Sequence, residues 1–353
     1  MNRSSYIRPN VRLVALIIAT LAALNCVRRT GDSGTRAPTE YLPQIRSVSL
    51  FGRGNLAFVT ETGRDLRITR DNGATWQTIP GSRIGGQFEC ATFLADGGGW
   101  AVNHDGQVFS TTSANSDWTR RGELTSFTGA SQIEFVNETD GWILETLSIW
   151  RTTDAGATWK KVFSVLSPEV KGQPTRLYPI DDNRLLAAGT EGQVYLTTDG
   201  GTSWKVHTLA RNTDFTDISF TDKDSGWVCG RRPGTGLGAL FRTTDGGTSW
   251  TEVSSDELEI IPAAIQFDDD GGWIVGHRRL NKGPTSPLEA VVLHTSDQGK
   301  HWQRVPLDSS EPFFSNLRFA DNTYGWIVGR DTLYHTDDGA KTWREVLKLP
   351  GPA

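Results

Sequence analysis

Residues 241–250 read FRTTDGGTSW, and residues 195–204 carry almost the same text, YLTTDGGTSW. A third version, WRTTDAGATW, occupies residues 150–159. All three contain the pattern T-x-D-x-G-x-x-W. A pattern that recurs about every 20 to 50 residues indicates a repeat architecture, in which each repeat forms one small unit of supersecondary structure. This repeat therefore decides the fold.

The pattern occurs seven times, and its tryptophans are separated by 42, 41, 45, 46, 52 and 41 residues. The copy at residues 111–118, TTSANSDW, has lost both the acid and the glycine. The last copy has its glycine at Gly339, one place early. Six copies keep the acid, at Asp71, Asp154, Asp199, Asp245, Asp297 and Asp338.

A second motif, Gly-Trp followed by apolar residues, keeps the same spacing. It begins at Gly99, Gly141, Gly226, Gly272 and Gly325, while LAFV at Leu56 and LLAAG at Leu185 fill the two remaining places. A short run of alternating apolar and polar residues precedes each copy. Alternation with a period of two, interrupted by turn residues, predicts four short antiparallel strands per repeat, here called a, b, c and d.

A four-stranded unit of about 40 residues cannot bury both of its faces alone, but radial packing of several units can. We predict an all-β fold, one seven-bladed β-propeller over residues 41–350. The repeated aspartates fall at the turn from strand c to strand d. There, aspartate accepts backbone hydrogen bonds and glycine permits positive φ, so we predict a structural role for the six acids.

The N-terminal segment resembles an export signal. Three arginines and no acid occupy residues 1–12, and the apolar run at 13–24 is shorter than the roughly 20 residues that a membrane-spanning helix needs. We predict a secretory signal over residues 1–26, with Cys26 as a candidate for lipidation, and a flexible linker over residues 27–40. The alternative is a retained N-terminal anchor. The expected location is periplasmic or membrane-anchored.

The composition argues against several classes of function. The net charge is −5 and there is no long basic run, so a nucleic-acid partner is not expected. Cys90 and Cys229 lie in apolar contexts and are predicted to be buried free thiols. Cysteine and histidine spacings of metal sites are absent, so no metal or cofactor is expected. His294 and His335 occupy equivalent positions on strand c and are predicted to face solvent.

The T-x-D-x-G-x-x-W pattern resembles the Asp-box, or BNR, repeat of sialidases and several glycosidases. Seven units of the form GWIVG…LxxTxDGGxxW behind a secretory leader resemble one group more closely, the Ycf48/HCF136-like photosystem II assembly and stability factors. This resemblance covers residues 41–350. It implies a non-catalytic scaffold that binds a membrane-protein subunit during assembly, on the thylakoid lumen side in a photosynthetic host. We expect a monomer.

Strand direction predicts where a partner would bind. In an antiparallel blade the b–c turns lie on the face opposite the Asp boxes. The later blades carry basic residues there, and we predict that these form an arc of positive charge that binds the partner: Arg231, Arg232, His277, Arg278, Arg279 and Arg330. The family resemblance also implies an arginine-rich patch. The alternative is solvated loop charge, partly neutralised by Glu289 and Asp331.

A second function remains open at this point. Asp-box propellers include enzymes, so the chain could act on or bind glycans. A pair of carboxylates roughly 5–10 Å apart in a deep central cleft would favour that function. Such a pair can form between residues that are distant in the sequence, and sequence analysis cannot detect it.

Overall fold

The computed structural model describes residues 45–350 except for 62–63, 114–116, 169, 236, 254–259, 269–270 and 282–285. The predicted signal segment, Cys26 and the linker lie outside the described residues. Within the described part, seven sheets form, each made of four consecutive antiparallel strands. This arrangement confirms the predicted seven-bladed β-propeller.

Blades 1 to 4 contain sixteen strands. They are β1 (Ile45–Leu50), β2 (Leu56–Thr60), β3 (Leu66–Thr69), β4 (Gln77–Ile79), β5 (Phe88–Phe93), β6 (Gly99–Asn103), β7 (Gln107–Thr111), β8 (Thr119–Glu123), β9 (Ala130–Phe135), β10 (Gly141–Glu145), β11 (Ser148–Thr152), β12 (Lys160–Ser164), β13 (Pro174–Pro179), β14 (Leu185–Gly189), β15 (Gln193–Thr197) and β16 (Lys205–Thr208). A 3₁₀ turn at Gly81–Ile84 connects blades 1 and 2.

Blades 5 to 7 contain the remaining twelve strands of the described chain. They are β17 (Asp214–Phe220), β18 (Gly226–Arg232), β19 (Leu237–Thr243), β20 (Thr251–Glu252), β21 (Ile261–Phe267), β22 (Gly272–Arg279), β23 (Leu288–Thr295), β24 (Gln303–Arg304), β25 (Asn316–Phe319), β26 (Gly325–Val328), β27 (Thr332–Thr336) and β28 (Arg344–Lys348). The first strand of each blade contacts the first strand of the next, and β25 contacts β1, so the ring is closed.

Adjacent blades interlock through aromatic side chains. The Phe267 ring, at the end of β21, stacks on Trp227 of blade 5 with centroids 3.8 Å apart and planes at 7°. On the other side of Phe267, Trp302 from the Asp box of blade 6 makes an edge contact at 5.9 Å. Gly272 lies beneath the same ring, where a Cβ would come within 2.4 Å. The motif therefore begins with glycine because the phenylalanine leaves no room for a side chain.

The Asp box is a network of hydrogen bonds within one turn. In blade 5 the Thr243 hydroxyl donates to Asp245 Oδ1 at 2.8 Å and accepts from the Gly247 amide at 2.9 Å. Asp245 also accepts from the Ser249 hydroxyl and amide at 2.6 and 2.8 Å. The hydrogen bond from the Ser249 hydroxyl is the largest of the effects that lower the pKa of Asp245. The carboxylate is thus fully engaged in holding the turn.

One further prediction concerns the two cysteines of the propeller. Cys90 and Cys229 are buried free thiols, as predicted. Burial raises the pKa of both thiols, so they stay protonated at neutral pH. Among the described residues, no helix has the length and apolar character needed to span a membrane.

Candidate protein-binding face

The strand register places the predicted arginines at the end of each blade opposite the Asp boxes. Arg231 pairs with Gly238 and Arg278 pairs with Glu289, whereas the box threonines lie at the other end of the same hairpins. The predicted b–c loops are shorter than expected, because β18 and β22 continue through these residues. Arg330 lies between β26 and β27, in the corresponding turn of blade 7.

Carboxylates within the chain pair with four of these arginines. Arg231 Nη2 lies 3.0 Å from Asp214 Oδ2, and Arg278 Nε lies 2.6 Å from Glu289 Oε2. The other two pairs are Arg232 with Glu252 and Arg330 with Asp331. The face therefore alternates positive and negative groups, and most of its positive charge is balanced within the chain.

His277 lies next to Arg278 on β22, at the same end of blade 6. Burial lowers its pKa to about 4, and the charges of Arg279 and Arg231 act in the same direction. Its ring centroid lies 6.3 Å from that of Phe313. At neutral pH the imidazole is therefore uncharged, and it contributes an aromatic surface between two guanidinium groups rather than a third positive charge.

The same face extends into blades 1 and 2, which the sequence analysis did not consider. Arg64, in the b–c turn of blade 1, forms an ion pair with Glu89 of blade 2. Glu89 also lies 3.1 Å from His104 Nδ1 and 3.7 Å from Arg46 Nη1. Applying the b–c turn argument to every blade would have found Arg64 and His104. Finding Glu89 requires the three-dimensional arrangement.

Charged residues of the innermost strands meet at the centre of the ring. Arg176 Nε donates to Asp217 Oδ1 at 3.0 Å, and Arg318 of blade 7 approaches Asp217 Oδ2 at 3.7 Å. Asp217 also accepts from the Ile265 amide, at 3.1 Å. Burial raises the pKa of Asp217 and of Glu134, its neighbouring carboxylate in blade 3. This network joins blades 4, 5, 6 and 7 across the axis.

The predicted exposure of two histidines is wrong. His335 is fully buried, with its ring centroid 4.6 Å from that of Trp326. His294 is half-buried, and its ring lies 4.1 Å from that of Trp273. Both side chains lie in clefts between blades, because strand c presents this position to the next blade. In the described part of the chain, no three His, Cys, Asp or Glu side chains are grouped to hold a metal ion.

Comparison with known families connects this fold to one group. Residues 90–210 and 203–313 match the model of the family described as photosynthesis system II assembly factor YCF48. The chain belongs to the YCF48 family. A curated relative, Photosystem II assembly lipoprotein Ycf48 of Picosynechococcus sp. (strain ATCC 27264 / PCC 7002 / PR-6), is 44% identical over 46 residues. That match spans 12% of this chain and 13% of the relative's length.

Solved structures of YCF48 proteins have the same fold. YCF48 from Cyanidioschyzon merolae aligns with a TM-score of 0.65 at 17% identity, over 85% of this chain and 97% of that one. YCF48 bound to D1 peptide aligns with a TM-score of 0.62 at 20% identity, over 84% and 93%. Streptogramin B lyase also aligns, with a TM-score of 0.63 at 14% identity over 82% and 91%. The shared propeller therefore does not by itself distinguish a YCF48 protein from an enzyme.

Proposed function

We propose that this protein is an exported, non-catalytic assembly factor that binds a segment of a membrane-complex subunit through the face opposite its Asp boxes. Membership of the YCF48 family carries this proposal. A YCF48 protein of the same fold has been solved with a D1 peptide, which makes that peptide the natural test ligand. Residues 1–26 would direct export, and lipidation of Cys26 would hold the propeller at a membrane as a monomer.

The arginines on this face suit recognition of an acidic or carboxylate-bearing segment. Arg231 makes two contacts with Asp214, through Nε at 3.3 Å and Nη2 at 3.0 Å, so its guanidinium is already oriented. Ion pairs of this kind near the surface contribute only about 0–1 kcal/mol. A partner carboxylate can therefore replace or join the chain's own acid at low cost, and the orientation reduces the entropy lost on binding.

The glycan-active alternative would use Glu134 and Asp217. Asp217 is only 3% exposed, and its oxygens are engaged by Arg176 and the Ile265 amide. A carboxylate in these bonds stabilises the innermost strands and is poorly placed to meet a sugar. This environment supports the binding role over hydrolysis.

A charge-reversal experiment tests the proposal. The triple variant Arg231→Glu, Arg278→Glu and Arg330→Glu should weaken binding of a D1 peptide at least about ten-fold, since each change replaces an attractive group with a repulsive one. Fluorescence anisotropy with a labelled peptide measures the affinity. The melting temperature should fall, because Asp214 and Asp331 are mostly buried and lose their partners, so circular dichroism is needed to confirm that the variant is folded.

A matched triple variant controls for net charge. Arg70, Lys205 and Lys300 are exposed residues in or next to Asp boxes, at the opposite end of the blades, and changing them to glutamate alters the net charge equally. This control should bind the peptide as the wild type does. Equal binding by the wild type and the first triple variant would refute the proposed face.

A further inference from the structure

In the five blades whose strand b begins with Gly-Trp, one position on strand c lies directly opposite the tryptophan. The register pairs Trp142 with Arg151, Trp227 with Arg242 and Trp273 with His294. In the first two cases the guanidinium carbon lies 5.1 and 5.2 Å from the ring centroid of its tryptophan. This distance is within the range of cation–π attraction. In blades 3 and 5 this position therefore holds a cation over an aromatic ring.

The cleft between blades 3 and 4 shows what this cation does. Arg151 Nη1 donates to the carbonyl of Gly200 at 3.0 Å, and Nη2 donates to the carbonyl of Asp182 at 2.7 Å. Gly200 follows the aspartate of the Asp box in blade 4, and Asp182 lies in the a–b turn of that blade. A guanidinium from one blade is thus recognised by two carbonyls of the next.

In other clefts, different side chains donate hydrogen bonds to the equivalent backbone carbonyls. Between blades 4 and 5, Leu196 replaces the arginine, but Arg184 donates to the Lys223 carbonyl at 2.8 Å. Between blades 7 and 1, Arg344 donates to the Asn72 carbonyl at 3.3 Å. Between blades 2 and 3, the Trp100 indole donates to the Ala155 carbonyl at 3.1 Å. In each of these clefts a side chain of this protein donates to one of the equivalent carbonyls.

The cleft between blades 6 and 7 contains a cavity of about 250 Å³. His294, at the arginine position, is a shorter side chain, and it lies against Trp273 at one side of the cavity. Gly339 and Asn322 also line the cavity, at the places that Gly200 and Asp182 have in blade 4. The volume is below the roughly 300–1,000 Å³ of most small-molecule pockets and suits a single side chain.

One carboxylate and one ammonium group lie at the cavity. Asp268 lines it and accepts a hydrogen bond from the Gly271 amide through Oδ1 at 2.9 Å, and the exposed Lys341 lies on its rim. Burial lowers the pKa of His294, so its imidazole is neutral at pH 7 and does not repel a positive group. The cavity thus combines a carboxylate, an aromatic pair and the backbone segment that binds a guanidinium elsewhere in this chain.

We propose that the cleft between blades 6 and 7 binds the guanidinium group of an arginine side chain presented by a partner protein. Most of the residues that line the cavity lie in a–b turns or the Asp-box turn, at the end of the blades opposite Arg231 and Arg278. A partner could therefore use it while the other face is occupied. This inference does not depend on the proposed function.

Titration with simple arginine compounds tests the site. The probes are arginine amide, a capped glycine pentapeptide with a central arginine, and the matching lysine pentapeptide. Calorimetry should show that wild-type protein binds one equivalent of arginine amide and of the arginine peptide, and binds the lysine peptide at least about three-fold more weakly, since lysine lacks the planar fork. Asp268→Asn should weaken binding several-fold.

One variant adds an arginine to the cleft between blades 6 and 7, and a second variant removes the arginine from the cleft between blades 3 and 4. In His294→Arg the chain's own guanidinium should fill the cavity, so binding should fall at least about ten-fold and the melting temperature should rise. In Arg151→His the cleft between blades 3 and 4 should open, so that the protein binds two equivalents. Circular dichroism checks that both variants are folded. If one does not fold, the other and Asp268→Asn still decide the question.

Three outcomes would overturn the inference. They are no binding to the wild type at tens of millimolar probe, equal binding by the wild type and a folded His294→Arg variant, or binding unaffected by Asp268→Asn. Binding of arginine amide without binding of the arginine peptide would assign the site to a small guanidinium compound, and so refute the protein partner.

Discussion

At the scale of single residues, the threonine of the Asp box contributes as much as the aspartate. The Thr243 hydroxyl connects the acid to the buried amide of Gly247, which bends back at a φ of 87°. Such a conformation favours glycine. The sequence pattern showed the threonine, acid and glycine together, but only the structure shows that the hydroxyl is the shared acceptor and donor.

Replacement of this threonine by valine tests the role of the hydroxyl. Thr243→Val keeps the shape and leaves the Gly247 amide buried without an acceptor, so we expect the free energy of unfolding to fall by about 1–3 kcal/mol. Urea denaturation followed by tryptophan fluorescence measures it. The neighbouring exposed residue offers the control, and Thr244→Val should stay within about 0.5 kcal/mol of the wild type. Equal losses in both variants would contradict the expectation.

At the residue scale, the sequence predicted where the arginines lie, but it did not predict all of the residues that they contact. The positions of Arg231 and Arg278 followed from turn order alone, because each blade is a local unit. The sequence analysis named two of the acids, Glu289 and Asp331, which pair with Arg278 and Arg330. It did not name Asp214, which lies opposite Arg231 on strand a, 17 residues earlier in the chain. The contact of Arg318 with Asp217 joins residues of two non-adjacent blades, and no local pattern encodes it.

At the scale of strands and motifs, the Gly-Trp strand and the phenylalanine of strand a form the contact between blades. Trp100 and Phe135 stack with centroids 3.9 Å apart, as Trp227 and Phe267 do at 3.8 Å. The glycine keeps the strand close enough for the ring to lie flat. The Gly-Trp motif and the phenylalanine of strand a recur with the same period in the sequence because each pair forms one contact between adjacent blades.

This contact can be weakened by one substitution. Phe267→Leu removes the stacked ring, and we expect the free energy of unfolding to fall by about 1–3 kcal/mol, of which stacking itself is about 0.5–1.5 kcal/mol. Guanidinium denaturation gives the value.

Blade 5 provides a matched control for that substitution. Phe220 occupies the same place as Phe267, but the preceding blade has Leu186 where blades 2, 3, 5, 6 and 7 have tryptophan. Phe220→Leu should therefore cost less than Phe267→Leu. A cost for Phe220→Leu equal to or greater than that for Phe267→Leu would show that stacking on tryptophan is not what joins the blades.

Strand lengths were less predictable than strand identities. β22 and β23 are eight residues long, and their pairing continues through Arg278 and Arg279. The apolar pattern stops at Gly276, where sequence analysis ends the strand. Pairing continues because it depends on backbone hydrogen bonds, and side chains on an exposed strand end need not be apolar.

At the scale of the whole molecule, blade 7 must close on blade 1 by side-chain contacts, since each sheet is one contiguous segment of chain. Trp326 contacts Trp76 with centroids 6.3 Å apart, and Arg344 donates to the Asn72 carbonyl. His335 is buried in this junction, and Arg344 Nη2 lies 3.4 Å from its Nδ1. The junction between blades 7 and 1 thus contains a titratable imidazole, that of His335.

Acid should weaken this closure. Burial and the charge of Arg344 lower the pKa of His335 to about 4, so the folded state binds fewer protons than the unfolded state between about pH 6.5 and pH 4. Stability from this group is full above pH 6.5 and falls as the pH drops, by on the order of 3 kcal/mol at most. Urea midpoints from pH 7 to pH 4 measure the loss.

A variant isolates this effect from other groups. His277, whose pKa is also about 4, adds to the loss, whereas Asp217 and Glu134, whose pKa values are raised, act in the opposite direction. His335→Gln removes only the first contribution, so the pH dependence of the variant should be shallower than that of the wild type. Parallel curves for the two proteins would refute this assignment.

Within residues 45–350, as far as the structure describes them, no sheet combines strands from the first and last blades, so every blade is a self-contained unit of sequence. A gene encoding such a ring can gain or lose a whole blade by duplication or deletion without rewriting a shared sheet. The chain can also be circularly permuted, with new termini at any connection between blades and the old termini joined. The architecture thus leaves circular reordering and growth open to evolution, as long as each new neighbour offers an aromatic ring for the next to cover.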